Sequence, residues 1–330
     1  MVPQSILIIQ TAFIGDVILA TSLIEKLRQY YPEAQLDFLV RKGNEGVLQD
    51  HPYMRNILIW NKKQGKYKSL YDLLQYIRSE QYDVVVNLQR FASMGFLTAL
   101  SGAKQKIGFD KNPFSFFFDI RVPHRIGEGN HETERNQALL THLTDTIVKK
   151  PRLYPAKADY EAVLSLQHTP YICIAPTSVW FTKQFPQEKW IELINQLPEH
   201  YTIYLLGSPA DHQACEDIKT GASKNTVVNL AGKLSLLQSA ALIEKALMNY
   251  VNDSAPMHMA SAMNAPTCAV YCSTIPAFGF GPLSGQAFII EKQEPLYCRP
   301  CGLHGYKACP EGHFKCAHDI QIPRLTRLVK

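Results

Sequence analysis

The chain reads as an α/β protein made of two doubly wound parallel sheets facing a central cleft, and three observations predict it. Ile6 to Ile9 is a polar-free run of the kind found in strands buried on both faces. Such runs alternate with helix-period segments along the chain, which implies right-handed crossovers and parallel pairing. Near the middle, Lys149 to Lys157 carries two prolines and four basic residues and reads as a linker, dividing the chain into residues 1–150 and 151–330.

In the first half, the run Ile6 to Ile9 ends at Gln10 and Thr11. Gly15 offers a tight turn, Asp16 stands where a first-turn acid or cap belongs, and Val17 to Tyr30 continues at helical spacing. Strands are expected at Gln35 to Val40, Ile57 to Trp60 and Tyr82 to Leu88, with a helix from Ser69 to Glu80 capped by Ser69. Phe114, Phe116, Phe117 and Phe118 form an aromatic cluster that base rates assign to core, with a lipid-like ligand as the alternative. His131 to Leu143 looks helical. The second half repeats the alternation, with strands at Tyr171 to Ala175, Tyr201 to Leu206, Val227 to Leu230 and Pro266 to Tyr271. Helices are expected at Pro186 to Leu197, Ala210 to Thr220 and Ser235 to Ala246.

Composition bounds the class. The 330 residues suffice for two cores, and 46% apolar with 19% charged residues is ordinary for a globular protein. Met1 to Ser5 lacks the basic region of a signal peptide, and no apolar run is long enough to span a bilayer, so a cytoplasmic protein is expected, with docking on a membrane surface left open. The net charge of +5 is concentrated in the first half, where 19 basic residues face 15 acidic ones. Lys62, Lys63, Lys66 and Lys68 around Gly65 could meet an anionic partner; a solvated loop is the plainer reading, and nucleic acid receives little weight. Eight cysteines in such a chain argue against a disulfide framework. Cys173, Cys268 and Cys272 lie in strand-like runs and read as small hydrophobes, while Cys215 stands apart.

Three stretches carry chemistry. Asp16 stands at the carboxyl end of the first strand, where ligands of open α/β sheets collect, although a cap is the simpler role for it. Asn252, Asp253 and Ser254 precede Pro256 and a helix-spaced Met257, so Asp253 and Ser254 are expected to cap a helix whose N–H groups attract an anion. Ala175 to Trp190 (APTSVWFTKQFPQEKW) supplies hydroxyls at Thr177, Ser178 and Thr182 and a full charge at Lys183, a set suited to a diphosphate. Glycine-rich phosphate loops are absent, which weakens a dinucleotide or ATPase reading.

Together with TAFIGDVILATSLIEKLR and CRPCGLHGYKACPEGHFKCAHDI, these stretches make the chain resemble the heptosyltransferases of lipopolysaccharide inner-core synthesis, over nearly the whole length. It is most similar to the members that add the second heptose, the type called heptosyltransferase II. The resemblance implies a GT-B architecture of two Rossmann-like domains, the first binding acceptor and the second the nucleotide sugar. It implies inverting, metal-independent transfer of heptose from ADP-heptose to the lipid A core at the inner membrane surface. By the same resemblance Asp16 is the general base, Lys183 contacts the donor phosphates, and Asn252, Asp253, Ser254, Met257 and His258 line the nucleotide site. Ala255 and Thr177 depart from the family pattern, which usually has glycine at both positions. The alternatives are a GT-B transferase or epimerase using another nucleotide sugar, and a zinc-stabilised nucleotide- or nucleic-acid-binding module without catalysis.

The C-terminal cysteines Cys298, Cys301, Cys309 and Cys316 suggest a structural zinc site, because a CxxC pair followed by two further thiols satisfies a tetrahedral ion. The second pair is spaced by six intervening residues rather than two. A redox-sensitive loop and an iron–sulfur cluster are the alternatives.

Overall fold

The computed structural model describes residues 2–223 and 226–329. The chain divides into two compact units, Met1–Tyr154 and Pro155–Lys330, a few residues past Lys150 and within the stretch read as linker. Each unit holds one six-stranded sheet in which every pairing is parallel.

The first sheet comprises β1 (Ser5–Ile9), β2 (Gln35–Arg41), β3 (Met54–Trp60), β4 (Val84–Asn87), β5 (Gln105–Phe109) and β6 (Ile120–Val122), in the order β3-β2-β1-β4-β5-β6. β1 lies inside the sheet because Ile6, Leu7, Ile8 and Ile9 are all removed from solvent. The helices are α1 (Ile14–Tyr30), α2 (Lys66–Glu80), α3 (Ala92–Leu100) and α4 (Glu132–Ala138). One face packs Leu7, Ile9, Leu39 and Val85 against Leu73, Leu74 and Ile77 of α2 and Met94 and Leu97 of α3.

The second sheet comprises β7 (Tyr171–Ala175), β8 (Thr202–Leu205), β9 (Thr226–Asn229), β10 (Asn249–Asn252), β11 (Thr267–Tyr271) and β12 (Ala287–Glu291), in the order β12-β11-β10-β7-β8-β9. Its helices are α5 (Lys157–Val163), α6 (Gln187–Gln196), α7 (His212–Gly221), α8 (Leu236–Lys245), α9 (Ala255–Ala262), α10 (Lys315–His318) and α11 (Pro323–Thr326). Cys173, Cys215, Cys268 and Cys272 are buried, as small hydrophobes should be.

Some local expectations change. α1 begins at Ile14, so Gly15 sits inside its first turn and the preceding residues turn the chain. α2 begins three residues before Ser69; Gly65, at φ 60°, precedes it, and the Ser69 hydroxyl accepts the Asn61 N–H at 3.1 Å instead of capping. α4 ends at Ala138, short of Leu143. β5, β6, α3 and β12 lay outside the expected elements; β6 is a three-residue edge strand interrupted by Arg121, whereas β12, also an edge strand, carries the apolar run Ala287 to Ile290 that the sequence reading passed over. The phenylalanine cluster is not core: Phe118 is buried, but Phe116 and Phe117 are 66% and 52% exposed.

Asp37, fully buried in β2, accepts hydrogen bonds from Arg55 Nε at 3.0 Å, from the Asn56 N–H at 3.0 Å and from the Tyr82 hydroxyl. Asp37→Ala leaves Arg55 with only Glu80 and Gln35 and leaves the buried Tyr82 hydroxyl and the Asn56 N–H without their acceptor, so urea unfolding should show a loss of about 3 kcal/mol. Tyr82→Phe removes a single bond and should cost about 1 kcal/mol. Equal small losses would remove Asp37 as the hub.

Candidate functional site

In both sheets the chain adds strands to one side of the first strand and then returns to the other. The reversals fall between β1 and β4 and between β7 and β10. At such a switch point the crossovers diverge, leaving a crevice outside the carboxyl strand ends. Asp16, in the first turn of α1, follows β1, and the loops carrying Lys183 and Asp253 follow β7 and β10.

At the first switch point, buried amides pin the loop between β1 and α1. Gln10 Oε1 accepts from the Ala12 N–H at 3.2 Å and from Gln89 Nε2 just beyond β4. Asn44 Nδ2, beyond β2, donates to the Ala12 carbonyl at 2.8 Å. Asp16 is half-buried, and its Oδ2 accepts the Phe13 N–H at 3.1 Å. The capping role and a chemical role are therefore compatible, since the cap holds the carboxylate on a fixed backbone while part of it stays open to solvent. Arg41 lies over the Phe13 ring, 5.4 Å from its centroid. Arg41 also lines a cavity of about 590 Å³ with Lys42, Asn44, Lys62 and Lys63, and among the described residues no acidic side chain lines it. Arg41 and Lys42 were missed by sequence reasoning, although their place at the end of a strand was a usable signal.

At the second switch point, Asn252 is the staple. Fully buried, it donates from Nδ2 to the Pro176 carbonyl at 2.8 Å and accepts the Phe185 N–H at Oδ1 at 2.9 Å. Both ends of the Pro176–Phe185 loop are thus tied to β10, and Gln184 Nε2 closes the loop on the Ser178 carbonyl at 2.7 Å. Thr177 and Ser178 are half-buried on this loop. Lys183 Nζ meets Asp253 Oδ2 at 2.7 Å, and the Thr274 hydroxyl donates to the same oxygen at 2.6 Å. Asp253 is thereby occupied, and Ser254 Oγ donates to the Asn252 carbonyl at 3.4 Å. The expected side-chain caps are therefore not made, and α9 starts with no side-chain cap bond. Its partial positive charge beside the Lys183 ammonium suits a phosphate group. Met257 and His258 are buried within α9, and Met257 Sδ accepts from the Tyr271 hydroxyl at 3.5 Å, so Met257 acts through packing.

Thr182 differs from its expected role. It is 1% exposed, and its hydroxyl accepts from the Tyr306 N–H at 2.8 Å and from Ser273 Oγ at 3.0 Å. Its own N–H donates to the Tyr306 carbonyl at 3.1 Å. Thr182 thus anchors the C-terminal loop to the Lys183 loop and does not present a donor to a ligand. Gly305, at φ +75°, makes the approach possible, because a Cβ there would stand 2.7 Å from Thr182 Oγ1 and 3.1 Å from Lys183 Cγ. The Cys301 N–H bonds the Ser273 carbonyl at 2.9 Å, and Arg299 Nη2 donates to the Thr274 carbonyl at 2.7 Å. Ser273, Thr274 and Arg299 were invisible to sequence reasoning because they join the site only through the fold.

The cysteines themselves depart from the zinc expectation. Among the described residues, no group of three or more His, Cys, Asp or Glu side chains is placed to hold a metal ion. Cys316 packs into the hydrophobic core of the second unit, while Cys298 lies 4.0 Å from His313 Nε2 and Cys301 Sγ donates to the Cys298 carbonyl at 3.2 Å. Burial, and then the neighbouring thiols, push Cys316 up to about 12 and raise Cys301 as well. These four side chains do not form the tetrahedral thiolate set.

Comparison with known proteins fits this geometry. Residues 70–305 match the model of glycosyltransferase family 9 (heptosyltransferase). The chain is 30% identical over 277 residues to lipopolysaccharide heptosyltransferase 3 of Escherichia coli, covering 79% of this chain and 82% of that one. It is 25% identical over 308 residues to lipopolysaccharide heptosyltransferase 2 of Escherichia coli K12, covering 87% and 88%. The solved structure of the E. coli ADP-heptose lipopolysaccharide heptosyltransferase II superimposes with a TM-score of 0.80 at 24% identity, covering 98% of this chain and 97% of that one. Two doubly wound sheets, the Lys183–Asp253 pair beside an uncapped helix start, and the family match over most of the chain lead to one conclusion: this GT-B protein is a glycosyltransferase belonging to glycosyltransferase family 9 (heptosyltransferase).

Proposed function

We propose that the enzyme transfers heptose from ADP-heptose to a sugar of the lipopolysaccharide inner core, with inversion and without a metal ion in the chemical step. The observation that carries the proposal is the Lys183–Asp253–Thr274 cluster at the start of α9. A diphosphate leaving group gathers negative charge as the glycosidic bond breaks, and a preorganised ammonium beside the positive end of α9 stabilises that charge. Family membership supports a sugar-transfer reaction, and the relatives named above supply the donor and acceptor classes.

The step balances as one displacement. The acceptor hydroxyl gives its proton to the Asp16 carboxylate while its oxygen bonds to the anomeric carbon, and the bond from that carbon to the diphosphate oxygen breaks to release ADP. Attack opposite the leaving group inverts the anomeric centre, and no covalent intermediate is needed. The first unit serves as the acceptor side and the second as the nucleotide-sugar side. The basic cavity lined by Arg41, Lys42, Lys62 and Lys63 suits the carboxylates or phosphates of a Kdo-bearing lipid A core. Lys183 neutralises the diphosphate, Asn252 keeps its loop in place, and Thr182 braces it.

ADP release from ADP-heptose, measured with and without a Kdo-bearing lipid A acceptor, tests the assignment directly. Acceptor-dependent release is expected; turnover of UDP- or GDP-sugars in its place would overturn it. Asp16→Asn should keep donor affinity in calorimetry and lower kcat by at least about 10²-fold. Lys183→Ala should weaken ADP affinity on the order of tenfold by removing a charged hydrogen bond. Gly305→Ala should also weaken ADP binding, by roughly tenfold, because it strains the backbone and displaces Thr182. Undiminished ADP affinity in that variant would show that the C-terminal loop does not set the Lys183 position.

A further inference from the structure

We propose that Cys298 is a thiol-modification site: low-molecular-weight disulfides oxidise it, Cys301 resolves the adduct as a Cys298–Cys301 bridge, and the bridge weakens donor binding at Lys183. Both cysteines are half-buried, and Tyr297 beside them is 81% exposed, so small reagents have access from solvent.

Cys298 supplies the nucleophile. Its sulfur lies 4.0 Å from His313 Nε2. His313 Nδ1 accepts the Lys315 N–H at 3.1 Å, so the neutral ring carries its proton on Nε2, facing the sulfur. A ring N–H aimed at sulfur suits the thiolate, which accepts it and is the form that attacks. Cys301 suits the second step. Its thiol donates to the Cys298 carbonyl at 3.2 Å, and burial, followed by the Cys298 and Cys309 thiols, raises its pKa, so it stays protonated while Cys298 reacts. A sulfur already against the Cys298 backbone needs side-chain rotation and a small shift of the turn to reach the Cys298 sulfur. Cys316 is a poorer partner because it is packed into the hydrophobic core of the second unit.

The exchange balances. The Cys298 thiolate attacks one sulfur of the reagent and expels one thiolate. The Cys301 thiol then gives up its proton, and its sulfur displaces the second thiolate from Cys298. Two protein thiols are oxidised to one disulfide, the reagent disulfide is reduced to two thiols, and the two protein protons end on the departing thiolates.

The bridge reaches the Lys183 site through the backbone it shares. The Cys301 N–H bonds the Ser273 carbonyl at 2.9 Å, and Arg299, enclosed in the new ring, donates from Nη2 to the Thr274 carbonyl at 2.7 Å. Ser273 Oγ in turn bonds Thr182 at 3.0 Å, and the Thr274 hydroxyl bonds Asp253 at 2.6 Å. Drawing Cys301 toward Cys298 pulls on both pins and displaces the groups that hold Lys183 and Asp253. This consequence rests on the proposed donor site at Lys183, whereas the thiol chemistry does not.

The test is treatment of the full chain with oxidised glutathione, followed by intact-mass measurement, peptide mapping and ADP calorimetry. The wild type should lose two hydrogen atoms, show the bridge between Cys298 and Cys301, and bind ADP about tenfold more weakly until dithiothreitol restores it. Cys301→Ser should stop at a glutathione adduct on Cys298. Cys298→Ser should form neither that adduct nor the bridge and should keep its ADP affinity in oxidised glutathione. Thiols that stay unreacted, whether or not a metal ion co-purifies on them, would overturn the proposal. So would a bridge mapped to Cys309 or Cys316, or a Cys298–Cys301 bridge that leaves ADP affinity unchanged. Reduced wild type that binds no ADP yet forms the bridge would leave the thiol pair standing and remove only the donor reading.

Discussion

Strand order reverses once in each sheet, and the rest of the architecture depends on that reversal. A right-handed crossover places each helix over one face of a parallel sheet, so successive helices stay on one face while strands are added in one direction. When the direction changes beside β1 and again beside β7, the helices part, and the carboxyl strand ends there are left uncovered. Asp16 comes from the first turn of the helix after β1, and Lys183 and Asp253 come from the loops after β7 and β10. Chemistry-bearing side chains are concentrated where the fold leaves room.

The crevices are shaped by buried amides, not by apolar packing alone. Gln10, Gln89, Asn44 and Asn112 link four neighbouring strand-end loops of the first unit, and Asn252 does the same work in the second. Gln10, Asn44, Asn112 and Asn252 pair with backbone groups that would otherwise lie unsatisfied in a dry environment, and Gln89 ties in through Gln10, so a loop held this way has few other arrangements. Such loops resemble strands in their rigidity while leaving the neighbouring side chains accessible.

The C-terminal cysteine-rich segment supports the second site mechanically. Tyr306 pairs with Thr182 through backbone and hydroxyl bonds, Arg299 and Cys301 hold the loop after β11, and Phe314 packs its ring 5.2 Å from Phe181. The segment therefore clamps both neighbours of the Lys183–Asp253 pair. This gives the tail a structural reason to exist that does not rely on a bound ion.

The sequence by itself determined the alternation of strand and helix and the buried centre of the first sheet, and it singled out Lys149 to Lys157 and the short stretches around Asp16, Lys183 and Asp253. Those are local properties: apolar runs, helical periodicity, proline and the chemistry of a few side chains are encoded within a dozen residues. Tertiary structure decided what those side chains do. Thr182 looked like a free hydroxyl and is a buried anchor; Ser254 and Asp253 looked like caps and are drawn to Asn252, Lys183 and Thr274. The phenylalanine cluster looked like core and is largely surface, because hydrophobicity along the chain does not say which face a loop after β5 presents. The four C-terminal cysteines looked like one ligand set, yet Cys316 is claimed by the core. For Thr182 and for Asp253 the deciding partners, Tyr306, Lys183 and Thr274, lie far away in sequence, so hydrogen bonding and burial across the fold, not local pattern, assigned the role.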